Sequence, residues 1–192
     1  MKIISLMSSL FLLLSGCIIQ SFYPFYTEET KVKLNEINGE WISIIQMGNN
    51  IEKKPTSPWL FSDKTIVSYD EKNVKSILEC TCFKVGDNLF IDTFAGEPDT
   101  KINFLWSAGI TLVHNVCKIS LNKNTLVLTP INFEWFEERI KEKKLGLPYV
   151  RANKDSNYIF TARSEDWVKF LKKHGDNPEV FNKKYNFVFK RN

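Results

Sequence analysis

From residue 38 onward the chain is written in short apolar runs of period two, which predict strands, because alternate side chains of a strand face opposite sides. The runs are "NGEWISIIQM" (38–47), "KTIVSYD" (64–70), "VKSILECTCFKV" (74–85), "NLFIDTF" (88–94), "INFLWSAGITLVHNVCKISL" (102–121, bending near Gly109) and "TLVLTP" (125–130). Residues 48–63 hold Gly, Asn, Pro and Ser around Trp59 and Phe61, which predicts a loop with a short strand. Gly86-Asp87 lies between two apolar runs and predicts a hairpin. A two-residue loop there sets Val85 opposite Asn88, Phe83 opposite Phe90 and Cys82 opposite Ile91. Phe83, Phe90, Asp92 and Phe94 then share one face, and Cys80, Cys82, Leu89 and Ile91 the other. No helical pattern of 10–15 residues separates these runs, so an antiparallel meander or barrel is expected rather than a parallel sheet.

After residue 130 the period changes. "NFEWFEERIKEKKLG" (132–146) begins with a capping Asn132, has its acids early and its lysines late, and ends before Gly146 and Pro148. "SEDWVKFLKKHG" (164–175) has Ser164 as its expected cap, Trp167, Phe170, Leu171 and His174 on one face, and Gly175 as its stop. Residues 176–184 read as a turn and short helix. "NYIFT" (157–161) and "YNFVFKR" (185–191) read as strands. The 15 Phe, 6 Tyr and 5 Trp suit a β-rich core. The expected fold class is α+β and β-rich: an antiparallel, barrel-like sheet closed by two or three C-terminal helices.

The N-terminus follows neither period. Lys2 is followed by twelve uncharged residues, "IISLMSSLFLLL" (3–14), and then by "LSGC" (14–17). A positive start, an apolar stretch and a small-residue cleavage site make a secretory signal. This stretch resembles the bacterial lipobox. The resemblance implies cleavage between Gly16 and Cys17 and lipid on Cys17. Two or more acyl chains anchor a protein stably, whereas one does not. The alternative is an uncleaved anchor, for which residues 3–19 fall short of the roughly 20 apolar residues a bilayer needs. Ile18 stands where many diderm bacteria place Asp to retain a lipoprotein in the inner membrane, so the resemblance favours the outer membrane. The expected domains are a signal at 1–16, a lipidated tether at 17–37 and one globular domain at 38–192.

Gly39 and Trp41 together resemble the Gly-x-Trp that opens many lipocalin-like barrels, where the Trp plugs one end. More broadly, "FKVGDNLFIDTF" (83–94), "LVHNVCKISLNKNTLVLTPINFEWFEERI" (112–140) and "FTARSEDWVKFLKKHGDNPEVF" (160–181) resemble, in order, segments of a group of uncharacterised bacterial lipoproteins. That resemblance implies an envelope address and a barrel-like fold. It implies no reaction.

Candidate chemistry is sparse. The net charge of +4 is small and spread over many Lys and Glu, so no nucleic-acid partner is expected. Cys80, Cys82 and Cys117 remain after Cys17. Cys80 and Cys82 share a face and cannot easily bond each other, but either can meet Cys117 from an adjacent strand. Buried free thiols, one cross-strand disulfide, and a metal or redox site with His114 all stay open, the last disfavoured by the absence of any Cys-x-x-Cys pair. Asp92 and His114 are the polar residues on apolar strand faces. They are read either as a satisfied polar core or as a couple in a pocket. Trp41 joins them as a pocket or core residue. No Gly-x-Ser-x-Gly, P-loop, dinucleotide or zinc-protease pattern occurs, so neither a cofactor nor catalysis is expected. The expected function is non-catalytic: holding an apolar or amphipathic ligand, or docking an envelope partner, at the membrane. The alternatives are an assembly lipoprotein with a filled core, and a hydrolase using Asp92 and His114 in an open cleft.

Overall fold

The computed structural model describes residues 19–47, 50–52, 58–70, 73–96, 112–151 and 158–192. The signal at 1–16, the Gly16–Cys17 site and the expected strand residues 102–111 lie outside the described residues.

Strands β1 (Gln20–Ser21), β2 (Gly39–Met47), β3 (Asn50–Glu52), β4 (Trp59–Phe61), β5 (Thr65–Tyr69), β6 (Lys75–Val85), β7 (Asn88–Ala95), β8 (His114–Asn122) and β9 (Thr125–Pro130) come first. Helix α1 (Phe133–Lys141), β10 (Tyr149–Arg151), β11 (Tyr158–Phe160), helix α2 (Ser164–His174) and β12 (Phe187–Arg191) follow. The path β2-β4-β5-β6-β7-β8-β9 is an up-and-down meander, and β12 fits between β9 and β2 to close it. The result is a closed, eight-stranded antiparallel barrel.

The β6–β7 hairpin has the expected register, with Val85 opposite Asn88, Phe83 opposite Phe90 and Cys82 opposite Ile91. Gly86 has φ 61, the positive first turn position of a type II′ loop. Alternation separates two cores. Trp41, Phe61, Ile66, Cys80, Cys82, Ile91, Ile119, Leu126, Leu128 and Phe189 fill the barrel. Phe83, Val85, Phe90 and Val116 point outward and are covered by Phe136, Phe160, Trp167, Phe170, Leu171 and Phe181.

This second core corrects the expected role of the helices. They do not cap the ring. Residues 131–186 leave from the end of β9 and return at the start of β12, and their helices lie on the flank formed by β6, β7 and β8. The ring is closed by the C-terminal strand instead, since Phe187 to Lys190 bond β9 on one side and Val188 to Arg191 bond β2 on the other. Asn132 caps α1 as expected, its Oδ1 accepting from Glu134 N. The helix stops early, at Lys141. Lys143 turns left-handed (φ 56), and the amides of Lys143 and Lys144 donate to Ile140 O and Arg139 O, a Schellman ending. Arg163, not Ser164, is the cap position of α2. The Ser164 hydroxyl donates instead to Pro24 O.

That contact marks the second correction. Residues 19–37, expected as a tether, are packed on the body. Gln20 and Ser21 pair with β8 on one side and β11 on the other. Ile19, Ser21, Phe25 and Ile37 are almost wholly buried. Ser21 Oγ accepts from the Trp167 indole at 2.9 Å, and the Phe25 ring lies 4.4 Å from the Trp167 ring. Farther on, Lys31 bridges Phe83, and Val32 N donates to Cys82 O. This segment runs as a strap from β8 to β6 before entering β2. Pro24 breaks a helix, as read. What the pattern did not reveal was that an irregular segment can still bury aromatic anchors.

Candidate functional site

The two ends of the barrel differ. At one end a 3-10 turn at Asn35–Ile37 tucks under Trp41. Trp41 is fully buried and its indole donates to Ile37 O at 2.7 Å. Arg191, on the last strand, stacks over the Trp41 ring at 4.4 Å and donates to Glu36 O and Asn38 O at 2.6 and 3.2 Å. A planar guanidinium suits both contacts at once. Gly39 makes room for this clasp. It has φ 124, and a Cβ there would lie 3.3 Å from Arg191 Nη1. The turns at 62–64, 86–87 and 123–124 are at this sealed end. Trp41 is thus a plug. Arg191 is the functional partner that the sequence reading missed, because a lone Arg near a terminus gives no signal of its own.

Toward the other end the interior side chains shrink and become polar. Cross-strand partners share a face, and the register places Ser43 beside Phe189, Ser68 opposite Ser76, and Cys80, Thr93 and Asn115 in one row. Ser76 and Ala95, at the rim, are exposed. Trp59, opposite Trp41, and Phe187, opposite Leu128, are partly buried rings packed on the filled half. Trp59 stands 5.2 Å from Phe189. The sealed half is therefore aromatic and filled, and the described interior positions toward the other end are mostly small hydroxyl and amide groups.

All three described cysteines face this interior as free thiols. The disulfide alternative fails on register. Cys82 lies opposite Ile91, and Ile91 opposite Cys117, so one strand stands between the two sulfurs. Two strand spacings come to about 9.6 Å, beyond the roughly 7 Å that a disulfide tolerates between Cα atoms. Burial pushes the Cys80, Cys82 and Cys117 thiols up to about 12, 11 and 12. They stay protonated at neutral pH and are poor nucleophiles. The folded Cys17→Ser protein should therefore resist a thiol reagent such as dithionitrobenzoate, its three remaining thiols reacting only in denaturant. Rapid titration of even one in the folded state would show that the barrel opens.

Asp92 and His114 do meet, with His114 Nδ1 2.7 Å from Asp92 Oδ1. They meet on the outside of the barrel. Asp92 shares its face with Phe83 and Phe90, the wall that the strap covers, and its Oδ2 accepts from Phe25 N at 2.9 Å. Asp92 is only 2% exposed, so burial raises its pKa from 3.8, while the His114 contact and the Phe25 amide pull it back. The Phe94 ring lies 4.6 Å from the His114 ring. The couple is a clasp under the strap rather than the polar lining of a cleft.

Among the described residues no three His, Cys, Asp or Glu side chains are grouped to hold a metal, and no helix is long and apolar enough to cross a membrane. A cavity of about 250 Å³ opens outside the barrel, beside Asn132, Glu134, Trp135, Arg139 and Glu179. Its lining is mostly polar, unlike the apolar walls of most small-molecule sites. Comparison with family models, curated proteins and solved structures finds no match for this chain.

Proposed function

We propose that this is a lipid-anchored envelope protein, attached through Cys17, whose barrel holds a small apolar or amphipathic ligand. The supporting observation is the asymmetry of the barrel. Trp41 and Arg191 seal one end. The described interior positions toward the other end carry smaller side chains, Ser43, Ser68, Ser76 and Thr93, than the Trp, Phe and Leu of the sealed half, which suits a ligand held between them. The address rests on the sequence around Cys17, and the outer membrane is its favoured destination. The assembly reading draws support from the filled half of the barrel, because a protein acting only through its surface needs no cavity.

Native mass spectrometry of the detergent-extracted protein tests both parts. The expected spectrum is a chain beginning at Cys17 with added acyl mass, together with a small molecule that dissociates on activation. A chain still beginning at Met1 without acyl groups would remove the anchor and the envelope address. An acylated chain that carries no small molecule would favour the assembly reading.

A further inference from the structure

We propose that the sheet extension formed by β1, β11 and β10 is the face this protein turns to the membrane, with Phe22, Tyr23, Tyr149 and Val150 seated among the lipid headgroups. This rests on the lipid-anchor reading and names the surface that meets the bilayer beside the anchor.

The extension leaves the barrel wall at β8. One edge of β8 pairs with β7. The other pairs with β9 from Cys117 onward and with β1 at His114 and Asn115. β1, β11 and β10 therefore continue the sheet away from the ring. One side of the extension is closed, since Ser21 and Phe160 are buried against Trp167 of α2. Around Phe160 the neighbours are exposed. Phe22 donates its amide to Phe160 O, and Tyr149 lies opposite Phe160 on the other side. Among the described residues eight large apolar side chains are exposed, and Phe22, Tyr23, Tyr149 and Val150 are four of them. A fifth, Leu112, stands two residues before His114, the partner of Ser21. Single exposed apolar residues are ordinary, whereas a group of them on adjoining strands marks a contact surface.

Two observations choose a bilayer as the occupant. The first is where the chain leads. Ile19 is buried at the start of β1, and Cys17 is two positions ahead of it, so acyl chains on Cys17 enter the membrane within a few residues of these rings. The second is composition. Tyr149, Val150 and Arg151 follow one another on β10, all exposed. Tyr rings settle at the boundary between water and hydrocarbon, and an Arg there rests its stem on apolar surface while its head stays wet. Tyr149 is already held, 5.3 Å from the Tyr158 ring and 5.9 Å from the Phe160 ring, so seating it costs little conformational freedom. Leu60 is an exposed side chain without such a position. It belongs to β4, four strands from β8 in either direction around the ring.

Hydroxyl-radical footprinting of the full-length protein's mature, lipidated form in phosphatidylethanolamine–phosphatidylglycerol vesicles tests this, with the Cys17→Ser protein in buffer as the reference and Leu60 as the internal standard. Intact mass of the same sample reports acylation. Oxidation of Phe22, Tyr23 and Tyr149 should fall roughly threefold on the vesicles, because side chains sunk to headgroup depth lose most of their contact with water, and Leu60 should be unchanged. An acylated, vesicle-bound protein whose three rings oxidise as fast as in the reference would overturn the inference and leave the anchor standing. Equal protection of Leu60 would overturn the choice of face. A chain that carries no acyl mass and does not bind the vesicles would remove the anchor and this inference with it. The rings are read in their native positions, so no substitution on the extension has to fold.

Discussion

Trp41→Ala should cost about 4 kcal/mol, typical of a fully buried Trp reduced to Ala. In a chain of this size that corresponds to a fall of roughly 10 °C in Tm. The cost has three sources. The ring is completely enclosed in the barrel core. Its indole proton satisfies Ile37 O, the last residue of the sealing turn. Its face holds the Arg191 guanidinium. Removing it leaves a void at the floor, an unpaired carbonyl and an Arg that has lost its platform. Arg191→Met is the informative partner variant. It keeps much of the apolar stem but loses the cation over the ring and the two bonds to Glu36 O and Asn38 O, and it should cost less, about 2 kcal/mol. Urea unfolding of both variants checks the order. If Trp41→Ala cost no more than about 1 kcal/mol, the plug would have no energetic role.

Asp92→Ala should cost about 3 kcal/mol and loosen the strap. The substitution strips an acceptor from two buried groups, the Phe25 amide and His114 Nδ1, and each unpaired buried group costs about 1–3 kcal/mol. Limited proteolysis should then cut within residues 22–31, where the parent is protected. Asp92→Asn should fold nearly as well as the parent, because its amide offers an oxygen to Phe25 and carries no charge to desolvate. The pH dependence has a definite sign. A carboxyl whose folded pKa is raised stabilises the fold fully below its ordinary value of 3.8 and loses that contribution as pH climbs through the raised value. Relative to Asp92→Asn, the parent should therefore gain Tm on acidification across that window. A parent that instead lost Tm there relative to Asp92→Asn would mean that the charged carboxylate is the preferred form in the fold.

Much of the barrel was legible from local pattern. The β6–β7 hairpin carries a Gly turn between alternating runs, and its register followed from counting outward from Gly86. The same counting put Asp92 with Phe83 and Phe90. Which face pointed inward was not legible, since both were apolar and period two says nothing of side. The structure resolves it by putting thiols and aliphatics inside and the aromatic face under the helices. The strap escaped because its anchors are single residues, Ile19, Ser21 and Phe25, with no period between them. The closing strand β12 was read as a strand, but its place between β2 and β9 depends on pairings across more than fifty residues of chain.

The burial of Ile19 bears on how the molecule sits at a bilayer. On the proposed lipidation, only residues 17 and 18 separate the acyl chains from a residue locked into the body, a leash of about 7 Å. Such a leash permits little swivel. The protein would ride the lipid headgroups at one fixed attitude, like a vessel moored at the hull rather than on a long line, and that attitude would decide which of its faces a diffusing molecule meets first.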